Sequence, residues 1–169
     1  QKVRSVGSAQ APVEQSKPAA EPTDLTFCFW NVENLFDDKD DKRNSIDEEY
    51  DNPFAENKGL RDLKYDRIAT ALLKMNGGKG PDIIACVEVE SVRAAELLTA
   101  ALNTKITDDK LKYRSLAMKN LDAGRHISPC VISRAPLSQI STKLHGRFLR
   151  VMETHLIINN HDLTILTTH

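Results

Sequence analysis

Apolar residues occur along the chain either in short uninterrupted runs or at helical spacing. Residues 25–30 (LTFCFW) and 82–89 (DIIACVEV) are short runs rich in apolar, aromatic and β-branched side chains, which predicts two buried strands. Over 60–76 and 91–103 the apolar side chains recur every three or four residues, which predicts two amphipathic helices. These apolar positions are Tyr65, Ile68, Leu72 and Met75 in the first helix, and Ala94, Ala95, Leu98 and Leu102 in the second.

Strand-like segments dominate the rest of the chain, at about residues 113–118, 128–133, 147–158 and 161–168. The last two are joined by Asn159-Asn160, which predicts a hairpin because Asn tolerates the positive φ of a tight turn. The order strand, helix, strand, helix and then several strands predicts a mixed α/β fold.

The segments between these elements are polar. Residues 1–23 are rich in Ala, Pro, Ser, Gln and Glu, which predicts a disordered leader or linker before a domain spanning 24–169. A start at Gln1 followed by such a tether suits an exported bacterial protein after signal cleavage; an arbitrary boundary in a cytoplasmic protein is the alternative. Residues 37–51 hold eight acidic side chains against three basic ones, which predicts an exposed loop, and their spacing is not that of a calcium-binding EF-hand.

Composition excludes few functions. A length of 169 residues suits one domain with a sizeable core. The formal net charge of −1 gives no overall basic signal for nucleic acid, although a local basic patch stays open. No apolar run approaches the length of a membrane span. The three cysteines lack metal-ligand spacing, which predicts buried free thiols.

Three polar residues stand at the ends of predicted strands and are candidates for chemistry. Asn31 follows the first apolar run, Glu88 ends the second and His169 ends the last. A carboxylate is costly to bury without a partner, and a divalent cation is one such partner; a strand end turned into solvent is the alternative. We expect Glu90 to be the solvated neighbour of Glu88, and His155 to face solvent by strand alternation.

The segments WNVENLFD, PDIIACVEVE and LTILTTH together resemble the first half of the endonuclease/exonuclease/phosphatase superfamily, which has the DNase I-like fold. The resemblance covers about residues 24–169 and implies a two-sheet α/β sandwich, incomplete in this chain. It implies Mg²⁺-dependent hydrolysis of phosphate esters, with Mn²⁺ and Ca²⁺ as alternative cations. Glu88 would bind the metal, Asn31 would orient metal and phosphate, and His169 would donate a hydrogen bond to the phosphate oxygens.

The sequence departs from the pattern of that superfamily at two places. The segment DAGRHI at 122–127 replaces D-x-R-G-I; Arg125 is still a candidate for binding the phosphate of the substrate, with an ordinary surface arginine as the alternative. The D-x-N and S-D-H motifs, which supply the general base and further ligands, do not occur before His169, so the isolated chain is expected to be a poor catalyst.

Three functional hypotheses remain open from the sequence. The first is a phosphodiesterase or nuclease-like enzyme, for which nucleic acids, inositol phosphates and phospholipids all remain candidate substrates. The second is a binding domain that keeps the fold without the chemistry. The third is an ordinary α/β domain, in which Asn31 and Glu88 would lie far apart.

Overall fold

A computed structural model describes residues 24–42, 47–121 and 125–169 of the protein. The predicted leader at 1–23 and the first three residues of the DAGRHI segment lie outside the described residues.

The first sheet is mixed and has four strands in the order β1-β2-β4-β3. The strands are β1 (Phe27–Leu35), β2 (Ile83–Val89), β3 (Ser115–Met118) and β4 (Ser128–Ser133). Strand β1 runs parallel to β2, while β4 is antiparallel to both of its neighbours. Because β1 and β2 are parallel neighbours, their C-terminal ends lie at the same edge of this sheet.

Helices cover one face of the first sheet. They are α1 (Glu48–Glu56), α2 (Lys58–Leu73), the short α3 (Met75–Gly78) and α4 (Val92–Lys105), followed by a 3₁₀ turn at Asp109–Leu111. The Asn57 and Ser91 side chains cap α2 and α4 by accepting from the backbone N–H of the third residue that follows each. Among the described residues, no helix is long and apolar enough to cross a membrane.

The helix packing follows the predicted apolar stripes, with one exception. Seven of the eight predicted positions are buried in the core between the helices and the first sheet. Cys28, Cys86 and Cys130 are buried in the same core as free thiols, which confirms the prediction for them. Met75 is partly exposed, because α2 ends before it and the chain enters left-handed conformations at Asn76 and Gly77.

The second sheet is antiparallel, with β5 (Lys143–His145), β6 (Val151–Ile158) and β7 (His161–Thr168) in sequence order. Its inner face packs Met152, Leu156 and Ile165 against Ile83 and Val131 of the first sheet. Asn159 and Asn160 have φ of 51° and 61°, which confirms the predicted hairpin. The two-sheet α/β architecture is therefore confirmed, whereas the strand predicted from residue 147 begins only at Val151.

Strand β1 is less buried than its apolar sequence predicted. Phe27 and Phe29 are 50% and 54% exposed, although they lie in register with the buried Ile83 and Ala85 of β2. The second sheet packs against β2 and β4 and leaves this face of β1 open. The prediction of a fully buried strand is therefore wrong on this face.

The acidic segment is only partly the exposed loop that its charge predicted: Asp40, Asp41, Glu48 and Glu49 are exposed, and residues 43–46 lie outside the described residues. Asp37, Asp47 and Asp51 are buried, and α1 already begins at Glu48. Glu90, expected to be solvated, is only 1% exposed and accepts a hydrogen bond from the backbone N–H of Asp37 at 2.7 Å. The segment folds back onto the polypeptide, whose N–H and hydroxyl groups satisfy these carboxylates and offset their desolvation.

His155 lies on the outer face of the second sheet, as alternation predicted, but it is held between two carboxylates. Its Nε2 lies 2.9 Å from Glu153 Oε1 and its Nδ1 lies 2.8 Å from Asp162 Oδ1, and its side chain is only 11% exposed. Carboxylates only accept hydrogen bonds, so both bonds form only with the doubly protonated imidazolium. The bonds to Glu153 and Asp162 raise the pKa of His155, and the bond from His155 lowers the pKa of each carboxyl group.

We predict that replacing His155 with Gln makes the stability of the protein less dependent on pH above neutrality. A raised pKa in the folded state gives a stabilisation that is complete below the unfolded value of about 6.5 and is lost as the pH rises through the folded value. Melting temperatures from pH 5 to pH 9 should therefore fall more steeply for the parent than for His155→Gln. His161→Gln, at an exposed position at the start of β7, should keep the slope of the parent, and equal slopes for all three proteins would contradict the prediction.

Candidate active site

The C-terminal half of β1, from Asn31 onwards, is distorted. The register between β1 and β2 shifts between Asn31 and Leu35, and Glu33 and Asn34 have left-handed φ of 53° and 56°. Asn31 Oδ1 accepts a hydrogen bond from the Glu33 N–H at 2.9 Å, which supports the turn. Left-handed residues other than glycine are uncommon, and such conformations are concentrated at functional sites.

Glu88 lies at a second distortion, in the neighbouring strand β2. Its φ is 64°, and the pairing of β2 with β4 shifts register between Cys86 and Val89. A bulge re-aims the side chain at that position. As a result the Glu88 side chain is 14% exposed while Val87 and Val89 on either side are buried.

The carboxylate of Glu88 is held from three sides. Its Oε1 accepts a hydrogen bond from Asn31 Nδ2 at 2.9 Å, and its Oε2 accepts from the Asn34 N–H at 3.1 Å. His169 Nε2 lies 3.1 Å from Oε1. The structure thus brings Asn31, Glu88 and His169 together, and the hypothesis that Asn31 and Glu88 lie far apart is wrong.

Arg125 is held beside this group by a buried acid. Its guanidinium donates to Asp47 Oδ1, at 2.9 Å from Nε, and to Asn34 Oδ1, at 2.9 Å from Nη2. The hydrogen bond to Asp47 raises the pKa of Arg125. The charge pattern of residues 37–51 predicted that Asp47 is exposed, because no feature of the neighbouring sequence distinguishes it from the other acids there. The Arg125 side chain is therefore held in one position by hydrogen bonds within the protein.

Lys64, on α2, supports the distorted end of β1 from the opposite side. Its ammonium donates to the carbonyl oxygens of Glu33 and Asn34, the latter at 2.9 Å, and its burial lowers the pKa of the amine. A carbonyl in a left-handed turn leaves the strand ladder, so Lys64 supplies the missing donor. No sequence signal identified this lysine, because its two acceptors are backbone atoms some thirty residues away.

A cleft of about 140 Å³ opens beside Glu88. Its polar lining includes Arg125, Arg150 and His169, and its apolar lining includes Leu121 and Phe148. Arg150 and Phe148 come from the connection between β5 and β6, which carried no functional signal in the sequence. The cleft therefore places a carboxylate, an imidazole and two guanidinium groups next to an apolar surface.

The possible metal ligands at this cleft are few. Across the described ranges, no group of three or more His, Cys, Asp or Glu side chains could hold a metal ion. Among the described residues that line the cleft, Glu88 is the only carboxylate. One carboxylate fits Mg²⁺, which keeps several waters and usually takes one or two carboxylates together with phosphate oxygens, and it does not fit a site built from protein ligands alone.

Comparison with protein families matches residues 26–134 to the Endonuclease/Exonuclease/phosphatase family. The matched range includes Asn31, Glu88 and Arg125 and ends before His169. A comparison with curated protein sequences found no match.

Two solved structures are similar to the chain. One is described as the crystal structure of SmcL, with 14% identity over 88% of this chain and 48% of that chain and a TM-score of 0.48. The other is a beta hairpin deletion mutant of beta toxin from Staphylococcus aureus, with 12% identity over 88% of this chain and 51% of that chain and a TM-score of 0.48. The chain spans about half the length of the solved structures that it matches.

We predict that Lys64→Met destabilises the protein by about 1–3 kcal/mol, because it leaves the carbonyl groups of Glu33 and Asn34, the second of them partly buried, without this donor. Chemical denaturation followed by circular dichroism measures this loss. Lys58→Met, which removes an exposed pair with Asp62 on the same helix, should cost no more than a surface ion pair, less than about 1 kcal/mol. Equal losses for the two variants would show that Lys64 does not support the end of β1.

Proposed function

The chain belongs to the endonuclease/exonuclease/phosphatase family, and from this premise we propose that it forms part of a divalent-metal-dependent hydrolase of phosphate esters, acting on phosphodiesters. The observation that carries the proposal is the Glu88 carboxylate, which a left-handed backbone directs to the mouth of the cleft and which Asn31, Asn34 and His169 surround. A structural carboxylate would not need two adjacent strands to leave their regular pairing in order to reach a cleft.

Glu88 would hold the cation, and the Asn31 amide beside it would orient the cation and the phosphate. Mg²⁺, with Mn²⁺ and Ca²⁺ as alternatives, would stabilise negative charge on the phosphoryl oxygens. The donor set supports this assignment, because a single carboxylate in an open cleft leaves room for the water and phosphate oxygens that a hard cation requires.

His169 and Arg125 would bind the phosphate itself. A protonated ring nitrogen of His169 would donate to a phosphate oxygen on which charge develops during the reaction. The Arg125 guanidinium, held in place by Asp47, can direct its remaining N–H groups to phosphate in fixed geometry. Both groups would lower the energy of the transition state by neutralising charge that increases along the reaction.

A water molecule must also lose a proton, and the described lining of the cleft offers no second carboxylate for that step. Because the sequence also lacks the D-x-N and S-D-H motifs, we expect the 169-residue chain alone to hydrolyse phosphodiesters poorly. The alternative function is a domain that binds phosphate esters without cleaving them. Metal-dependent turnover by a longer protein that contains this chain distinguishes the two functions.

We predict that Glu88→Gln abolishes most Mg²⁺-dependent hydrolysis of a generic phosphodiester in such a longer protein. Gln keeps the size of the side chain but removes the charge that holds a hard cation. In this chain, the increase in melting temperature on adding Mg²⁺ should disappear, because a ligand stabilises only the state that binds it. Without metal, the variant should lose about 1 kcal/mol, since the amide NH₂ that replaces one carboxylate oxygen faces a hydrogen-bond donor instead of accepting from it.

Glu33→Gln is the matched control for Glu88→Gln, because Glu33 is an exposed acid next to the same site. Its turnover and its response to Mg²⁺ should equal those of the parent. If Glu88→Gln retains both properties as well, Glu88 does not hold the metal.

We predict a different result for His169→Ala. The loss of a phosphate donor should lower kcat by about 10²- to 10³-fold while the stabilisation by Mg²⁺ remains. His161→Ala, at an exposed histidine that begins β7, the strand that His169 follows, should keep the kcat of the parent. A parental kcat for His169→Ala would remove His169 from the site, and a lost Mg²⁺ response would reassign it to the metal.

A further inference from the structure

The connection at residues 146–150 (GRFLR), between β5 and β6, forms one side of the cleft. Phe148, Leu149 and Arg150 line it, next to Glu88 and His169. The connection is a tight turn in which the Leu149 N–H donates to the Gly146 carbonyl at 3.0 Å and Leu149 takes a left-handed φ of 52°. This strained turn holds Phe148 at the mouth of the cleft with its side chain 65% exposed.

Apolar side chains from several segments line the cleft together with the Phe148 ring. Leu121, Ile127 and Pro129 line it together with Phe148. The Arg147 guanidinium lies 5.5 Å from the centroid of the Phe148 ring, in the cation–π arrangement. A flat apolar group bound beside the phosphate position would therefore meet an aromatic ring with a cation next to it.

The charge around this surface is positive, although the chain as a whole carries −1. Arg125 and Arg150 line the cleft and Arg147 flanks it, whereas Glu88 is the only acid in the part of the lining that the structure describes. Arg147 and Arg150 are exposed, and within the part of the chain that the structure describes no carboxylate pairs with either. The positive charge is thus available to a polyanion.

These observations together specify the chemistry of a ligand. The position at Glu88 and Arg125 suits one phosphate, the Phe148 ring suits an aromatic base, and the two outer arginines suit further phosphates. Resting on the proposed phosphodiesterase function, we propose that Arg147, Phe148 and Arg150 form a subsite for single-stranded nucleic acid. The base next to the bound phosphate stacks on Phe148, and neighbouring phosphates pair with Arg147 and Arg150.

The size of the cleft favours a base over a lipid chain as the group that enters it. A cleft of about 140 Å³ is smaller than the roughly 300–1,000 Å³ of pockets that hold drug-sized ligands, so it receives one ring and not an acyl chain. Phe148 and Leu149 line this cleft and are also 65% and 40% exposed, so both are accessible to a membrane surface as well. Binding of this surface to a phospholipid bilayer is therefore the competing outcome of the test.

The test measures binding of a fluorescent oligothymidylate of about eight nucleotides to this chain by anisotropy, in EDTA so that no metal-dependent cleavage occurs. Phe148→Ala should weaken binding by about tenfold or more, and Phe148→Trp should restore it, because stacking depends on an aromatic ring. Arg150→Gln should reduce the slope of log Kd against log salt by about one phosphate contact.

Phe27→Ala is the matched control, because Phe27 is a 50% exposed phenylalanine at the start of β1, away from the end of that strand that reaches Asn31. It should leave the oligonucleotide affinity unchanged. Melting curves of all variants check that they fold, which the exposure of Phe148 favours.

An abasic oligonucleotide and vesicles of anionic phospholipid complete the test. The abasic strand should bind the parent about as weakly as the full strand binds Phe148→Ala. Any one of three results would overturn the subsite. The full and abasic strands bind with equal affinity, or the parent binds no oligonucleotide, or binding to vesicles depends on Phe148 while binding to the oligonucleotide does not.

Failure of the subsite and failure of the proposed function give different results. Stacking on Phe148 without any metal-dependent turnover by the longer protein would keep the subsite and overturn the enzymatic function in favour of a binding domain. Turnover of a generic phosphodiester that depends on Glu88, with no effect of Phe148→Ala on oligonucleotide binding, would keep the enzyme and overturn the subsite.

Discussion

The parallel pairing of β1 and β2 is the constraint on which the rest of the site depends. It places the C-terminal ends of two strands that are more than fifty residues apart in the sequence at one edge of a sheet, so that Asn31 Nδ2 lies 2.9 Å from Glu88 Oε1. Both strands leave regular pairing at that edge, and both use left-handed residues to do so. A carboxylate partly removed from water needs donors nearby, and the distorted backbone supplies one of them in the Asn34 N–H.

Strain of this kind persists only when the surrounding structure holds it in place. Lys64 supports the end of β1 from the helical side through two carbonyl oxygens, and the Arg125 guanidinium supports the Asn34 side chain while it pairs with the buried Asp47. The helical layer and the acidic segment are thus more than a cover for the sheet. They hold the backbone conformation that aims Glu88 at the cleft, and this accounts for the burial of acids that the charge pattern alone would place in solvent.

The net charge of the protein differs in sign from the charge around the cleft. The net charge of −1 results from an acidic segment whose carboxylates are partly buried and satisfied within the protein, while arginines gather around the cleft. The overall balance therefore says little about what the cleft binds. The electrostatic field at a cleft depends on the groups that line it, because charges farther away than about a Debye length are screened by salt.

The sequence by itself determined the elements with strong periodicity and the three polar residues at strand ends. The buried faces of α2 and α4, strand β2 and the Asn159-Asn160 hairpin follow from local pattern, because each depends on the spacing of neighbouring side chains. The motifs around Asn31 and Glu88 indicated the family. Only the tertiary structure decided which acids are buried, that Lys64 and Asp47 support the site, and that Phe148 and Arg150 line the cleft. Each of these depends on a partner far away in the sequence, and a charged residue has the same local pattern whether a distant backbone group or water satisfies it.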